Sequence, residues 1–163
     1  MDTRYLSVAE TAKLVRQALA EKFPGVKFSV KSKSYSGGAS INVRWWDGPA
    51  VKQVEAIAKR FEGADFDGMI DLKTYHASML HGERVHFGAD FVFCDRKFTP
   101  PVFQAAVDHV YQQNTWPRRP EIVEDRGIAY LADGYNIFPA GEEYQPDRDF
   151  HTQLHRYLYT LSL

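Results

Sequence analysis

The chain has 163 residues, 44% hydrophobic and 25% charged, a composition that excludes wholesale disorder or a fibrous repeat and suits an ordinary globular core. Lys and Arg number 20 against 21 Asp and Glu, a net charge of -1, so there is no global pull toward nucleic acid or an anionic membrane, and any nucleic-acid site must be a local patch. The apolar runs fall far short of the roughly 20 residues that cross a bilayer, Met1-Asp2-Thr3-Arg4 leads into no apolar signal core, and Cys94 has no second cysteine to pair with, so the expected location is the cytoplasm, with no membrane partner.

Ser7-Val8-Ala9-Glu10 is a capping-box pattern and predicts a helix from Ser7, with Val8, Ala12, Val15 and Leu19 as its buried stripe. Phe23-Pro24-Gly25 cannot continue it. From Val26 the period becomes two. Val26, Phe28 and Val30 alternate with Lys27, Ser29 and Lys31, and after Gly37-Gly38 the set Ala39, Ile41, Val43 and Trp45 alternates with Ser40, Asn42, Arg44 and Trp46. That predicts a β-hairpin with one apolar face. Asp47-Gly48-Pro49 ends the return strand, and Val51, Val54, Ile57 and Phe61 mark a second amphipathic helix closed by Glu62-Gly63.

The middle is less regular. Residues 69–72 read as a short strand, and Val85, Phe87, Ala89, Phe91 and Phe93 alternate as one long strand in which Gly88 marks a bulge. Thr99-Pro100-Pro101 caps a third helix carrying Val102, Phe103, Ala106, Val107 and Val110 inward. Trp116-Pro117-Arg118-Arg119-Pro120 has the proline spacing of a stiff connector. Beyond it, residues 128–131 and 135–138 flank Asp133-Gly134 as a further hairpin, and Phe150, Leu154, Tyr157 and Leu161 form a last helix capped by Asp147 or Asp149. The expected fold class is α+β, antiparallel β-hairpins alternating with amphipathic helices. Residues 1–114 form the main domain and 115–163 a C-terminal hairpin-helix extension packed on the same core.

No complete catalytic or metal motif is present. His76, His81 and His86 recur at spacings of five, which places neighbours on opposite faces of a strand and off one stripe of a helix. His81-Gly82-Glu83 matches half of the zinc deaminase signature, but the paired cysteines are missing. Asp65-Phe66-Asp67-Gly68 with Asp71 resembles a calcium loop, yet the glycine falls at the fourth position and His76 at the twelfth. Cys94 sits in the polar phase of the long strand, where a lone cysteine is ordinarily a packing residue. A dispersed site around His76, His81, Glu83 and Cys94 is the enzyme alternative. The expectation is a non-enzyme with no metal and no cofactor.

Two surfaces remain. The outward face of the first hairpin carries Lys27, Lys31, Lys33, Arg44 and Trp46, with Tyr35 at its tip. Cations beside aromatics suit a phosphate backbone with stacked bases, though a solvated sheet face looks the same. Glu62, Asp65, Asp67 and Asp71 form an acidic run suited to a basic partner, as do Glu142, Glu143, Asp147 and Asp149, and helix N-terminal charge with loop solubility explains both runs as well.

The segments 23–30, 35–43, 48–56, 61–72 and 82–90, among them Tyr35-Ser36-Gly37-Gly38-Ala39-Ser40-Ile41-Asn42-Val43 and Phe61-Glu62-Gly63-Ala64-Asp65-Phe66-Asp67-Gly68, resemble a large polyvalent protein-associated domain of plasmid and phage proteins. The resemblance runs from about Tyr5 to Phe98 and leaves the chain after Asn114 uncovered. It implies a mobile genetic element, in which such domains accompany anti-restriction, replication or transfer functions, and it brings no catalytic residues with it. The resulting expectation is an accessory protein that binds and inhibits a host defence complex of the CRISPR or restriction type. A nucleic-acid-binding module using the basic hairpin face is the alternative.

Overall fold

The computed structural model describes residues 3–67, 72–75, 78–80, 83–142 and 144–163. Its elements in chain order are β1 (Arg4–Tyr5), α1 (Val8–Lys22), β2 (Ser29–Tyr35), β3 (Gly38–Trp46), α2 (Val51–Ala58) followed by a 3-10 turn (Lys59–Phe61), β4 (Ala64–Asp67), β5 (Leu72–Tyr75), β6 (Ser78–Leu80), β7 (Glu83–His86), β8 (Phe91–Lys97), α3 (Pro100–Gln113), β9 (Ile122–Asp125), β10 (Ile128–Leu131) and α4 (Phe150–Thr160). The class is α+β, with the strands gathered into several small sheets. Two compact units divide the chain: Met1–Trp45 with Val51–Arg96, and Trp46–Ala50 with Lys97–Leu163. The boundary expected at 114 lies after α3, whereas the division between the units lies before it.

In the first unit α1 begins as its capping box dictates. Glu10 N donates to Ser7 Oγ at 3.1 Å, and Ser7 N donates back to Glu10 Oε1 at 3.4 Å. Strands β2 and β3 pair antiparallel from Ser29↔Arg44 to Tyr35↔Gly38, and the turn between them uses Gly37 at φ 87°. The inner face of this hairpin, Val30, Ile41, Val43 and Trp45, packs with Ala12, Val15 and Leu19 of α1 and Val54 and Ala58 of α2 into one buried cluster. β8 completes the sheet in the order β2-β3-β8. It runs in the same direction as β3, since Asp90 N donates to Ala39 O at 2.8 Å near its start and Asp47 N donates to Lys97 O at 2.7 Å at its end. One face of the sheet is thus helix-covered and the other carries the polar phase. A second sheet, β1-β7-β6, has β1 parallel to β7 and packs Leu6, Val85 and Phe87 together.

The long strand expected over 85–93 is in fact two strands. Residues 87–90 break it, because Gly88 lies against the start of α1: a Cβ there would run into Leu6 O, Ser7 C and Val8 N. Gly88 N instead donates to the Thr11 hydroxyl at 3.2 Å. The break shifts the side-chain phase by one residue. Val85, Phe87 and Ala89 point inward, and so does Val92, with Cys94 partly buried against the same core, while Phe93 is 51% exposed. Phe91 and Phe93 therefore leave the core face to which strict alternation assigned them, and Cys94 joins it.

In the second unit, Asp47, at φ 55°, accepts from Thr99 N at 2.9 Å and from the Thr99 hydroxyl at 2.8 Å, which holds the start of α3. Phe103, Ala106, Val107 and Val110 of α3 pack with Phe150, Leu154 and Leu158 of α4, Ile137 and Trp116. Trp116 is buried, donates from Nε1 to Val110 O at 3.3 Å and meets Phe150 edge-on at 4.9 Å. The proline-rich segment is accordingly part of this core, with Arg118 on Asp133 and Arg119 on Asp108. The hairpin pairs β9 with β10, Ile122↔Leu131 to Asp125↔Ile128, around Arg126 and Gly127 at φ 54° and 79°. That replaces the hairpin expected at Asp133-Gly134. Residues 135–138 form no strand, and Gly134 packs against Leu131 and His151. Asp149 is the cap of α4, accepting from Thr152 N at 2.9 Å.

Candidate nucleic-acid interface

The outward face of the β2-β3-β8 sheet is set by the register of the hairpin. Ser29 lies opposite Arg44, Lys31 opposite Asn42 and Lys33 opposite Ser40. Opposed Cβ atoms stand about 5 Å apart and diagonal ones about 7–8 Å, so Lys31 lies within side-chain reach of both Asn42 and Arg44. Ser29, Lys31, Ser32, Lys33, Asn42 and Arg44 line one shallow groove of about 440 Å³. Among the described residues no carboxylate pairs with Lys31 or Lys33. Arg44 Nε stands 3.9 Å from Asp95 Oδ2, with both side chains more than half exposed. An ion pair so open to water is worth little and yields to a better anion.

β2 is an edge strand, and lysines on such an edge also discourage pairing with another chain. Both roles are compatible: the cations that repel a foreign strand attract a phosphate. Arg16 reinforces the edge by donating from Nη2 to Val30 O at 2.6 Å.

The structure adds a component that sequence alternation missed. Val92 and Cys94 face the core and Asp95 pairs with Arg44, so Phe91 and Phe93 stand on the outward face. Their rings lie 5.9 Å apart at 29°, stacked on each other. The clue was present in Gly88, since a glycine within an apolar alternation signals close backbone approach and a possible change of phase.

Of the other sequence candidates, Lys27 is exposed just before β2, and Tyr35 is exposed at the hairpin tip. Trp46, the last residue of β3, belongs to the second unit, where Lys97 Nζ lies 5.7 Å from its ring centroid. Glu62 has a structural task, accepting from Val92 N at 3.0 Å beside Lys59 at 3.9 Å. Asp65 and Asp67 lie on β4, and Asp71, His76, His81 and Glu143 fall outside the described residues. In the second acidic run, Glu142 takes a two-pronged contact from Arg148, Asp147 pairs with Arg156 at 3.0 Å and Asp149 caps α4. Burial, with Glu55 adding to it, pushes the Cys94 thiol up to about 11. A thiol protonated at neutral pH is a poor nucleophile.

The second unit also carries an aromatic ladder. Tyr135 stacks on His151 at 4.0 Å, and His151 lies 4.2 Å from His155 one turn along α4. Burial lowers the pKa of both imidazoles, Asp149 opposes this at His151, and the His151 charge adds to it at His155. A histidine with a depressed folded-state pKa takes up a proton more readily when unfolded, so stability falls as pH drops through the ordinary value of about 6.5 toward the folded one. We expect the urea midpoint of the C-terminal unit to decline over that window. The double variant His151→Phe/His155→Phe, which keeps the stack but binds no proton, should flatten the decline. An equally steep loss in the variant would assign the acid sensitivity elsewhere.

Among the described residues no cluster of three or more His, Cys, Asp or Glu side chains is arranged to hold a metal, and no helix is long and apolar enough to cross a membrane. No curated protein and no solved structure matches the chain. A model of large polyvalent protein associated domain 29 matches residues 6–99. The match takes in α1, the β2-β3 hairpin, α2 and the whole of β8, and so includes every residue of the groove and both outward-facing phenylalanines, of which Phe93 is exposed and Phe91 half-buried. With more than half its length inside that match, the chain belongs to the large polyvalent protein associated domain 29 family of phage- and plasmid-associated proteins.

Proposed function

We propose that this chain is a non-enzymatic, cytoplasmic accessory protein of a phage or plasmid that binds nucleic acid through the outward face of the β2-β3-β8 sheet. The observation that supports this is the groove lined by Lys31, Lys33 and Arg44. Three cations converge there on a chain whose net charge is -1, so the attraction is local. Phosphate neutralisation by such a patch releases counterions, and affinity falls steeply as salt rises.

The test is fluorescence anisotropy with labelled oligonucleotides at several salt concentrations. Lys31→Glu/Arg44→Glu should weaken binding by about two orders of magnitude and lower the slope of log affinity against log salt by about two. Both side chains are exposed, so the fold should be kept. Equal affinity of the variant and the original protein would remove the groove as the site.

Family membership supports a phage or plasmid context, and within that context we propose as a second reading that the chain binds and inhibits a host defence complex of the CRISPR or restriction type. The measurement is interference by such a host against an invading element, with and without the chain expressed. Unchanged interference sinks this reading and leaves the first untouched.

A further inference from the structure

We infer that the β2-β3-β8 face takes single-stranded nucleic acid, with bases stacked on Phe93 and Phe91 and phosphates held by Lys31, Lys33 and Arg44. This narrows the nucleic-acid reading above and rests on it. A duplex shows a protein its phosphates and base edges and hides the base faces, whereas a single strand offers a π-face with every nucleotide. Cations alone would suit either form. Two phenyl rings on the same sheet face as the cations suit only the second.

The geometry agrees at each step. Phe91 and Phe93 lie two apart on β8 and so project to one side, as the Arg44 contact with Asp95 confirms for that side. Their Cα atoms are roughly 6.6 Å apart along a strand of this type, about twice the 3.4 Å rise of stacked bases. An extended strand can therefore place one base on each ring. β3 lies between β2 and β8, so the lysines of β2 stand two strand spacings, about 10 Å, from the rings, with Asn42 and Ser40 of β3 opposite the lysines and Arg44 one outward position further along, beside Asp95. Phosphates along β2 and β3 with bases laid toward β8 is the arrangement that satisfies both groups. Asp95 holds Arg44 until a phosphate takes its place. Leaving Phe93 half exposed has an apolar cost in the free protein that a stacked base removes.

The experiment uses the full chain and labelled oligonucleotides of about 15 nucleotides: poly-dT, poly-U, and a duplex of mixed sequence. The result expected is tighter binding of poly-dT or poly-U than of the duplex. Phe93→Ala should lose roughly tenfold in affinity for the single strand with the salt slope unchanged, because stacking releases no counterions. Phe93→Trp should retain the original affinity, and circular dichroism melts should show the fold intact. Lys33→Glu separates phosphate contact from stacking, since it lowers the salt slope. If Lys33→Glu weakens binding but Phe93→Ala does not, or if the duplex binds more tightly, the single-strand inference is overturned while the phosphate groove stands. If no oligonucleotide binds, both are overturned.

Discussion

Gly88→Ala is expected to cost the first unit more than about 4 kcal/mol, a loss at the extreme of what single substitutions produce. The methyl group would meet Leu6 O, Ser7 C and Val8 N, all backbone atoms at the start of α1. Side chains can rotate out of such a clash, but a capped helix start cannot. Relieving the contact means moving α1 away from residues 87–90, which also breaks the 3.2 Å bond from Gly88 N to the Thr11 hydroxyl and takes that partner from the Gly88 N–H, while the hydroxyl keeps its own bond to Ser7 O. Gly37→Ala is the control. Gly37 has open space around its Cβ position, and its φ of 87° makes the cost about 1–2 kcal/mol of backbone strain. Urea unfolding followed by circular dichroism reads both. A Gly88→Ala variant as stable as Gly37→Ala would show that α1 does not lean on the strand break, and the explanation for the outward phenylalanines would go with it.

That link between Gly88 and Phe93 shows where sequence patterning stops. The capping box at Ser7, the alternation through the β2-β3 hairpin and the stripes of α1, α3 and α4 were all legible, because each is a local pattern read against one period. The cations of the groove were legible for the same reason. The phenylalanines were not, since Val85, Phe87, Ala89, Phe91 and Phe93 recur at every second position in sequence while the backbone slips by one residue in space, with Val92 as the one apolar residue of the other phase. Tertiary contacts impose that slip, among them the start of α1 against Gly88 and the 2.8 Å bond from Gly63 N to Ala89 O. The β9-β10 turn was hidden likewise: it needs positive φ at two successive positions, and the first is Arg126, not one of the usual turn residues. Asp133-Gly134 carries the better turn signal, yet Gly134 is needed for its smallness against His151. Trp116 defeated the linker assignment because proline spacing predicts stiffness and says nothing about what a neighbouring tryptophan can bury.

Trp45→Ala should cost about 3–5 kcal/mol, the range for removing a fully buried large aromatic, whereas Trp46→Ala should cost less than about 1 kcal/mol. The two side chains are neighbours in sequence and opposites in environment. Trp45 is 1% exposed and lies 5.7 Å from Phe28 within the cluster that joins α1, α2 and the sheet, while Trp46 is 46% exposed. Against a typical total stability of about 5–15 kcal/mol, the first loss leaves a sizeable unfolded fraction at modest urea, and the second does not. Differential melts of the two variants measure this. A cost for Trp45→Ala within 1 kcal/mol of that for Trp46→Ala would mean that the inner face of the hairpin is not the core of the unit. Stability and binding should then separate by face. Trp45→Ala is expected to lose oligonucleotide binding only to the extent that the protein unfolds, and a saturating stabiliser such as sucrose should restore it. Phe93→Ala is expected to lose binding with no change in the melt and no rescue. Those two outcomes together would separate stability from the proposed binding onto the two faces of one sheet, joined through the alternation of β3, where Trp45 anchors the strand inward and Arg44 is presented outward.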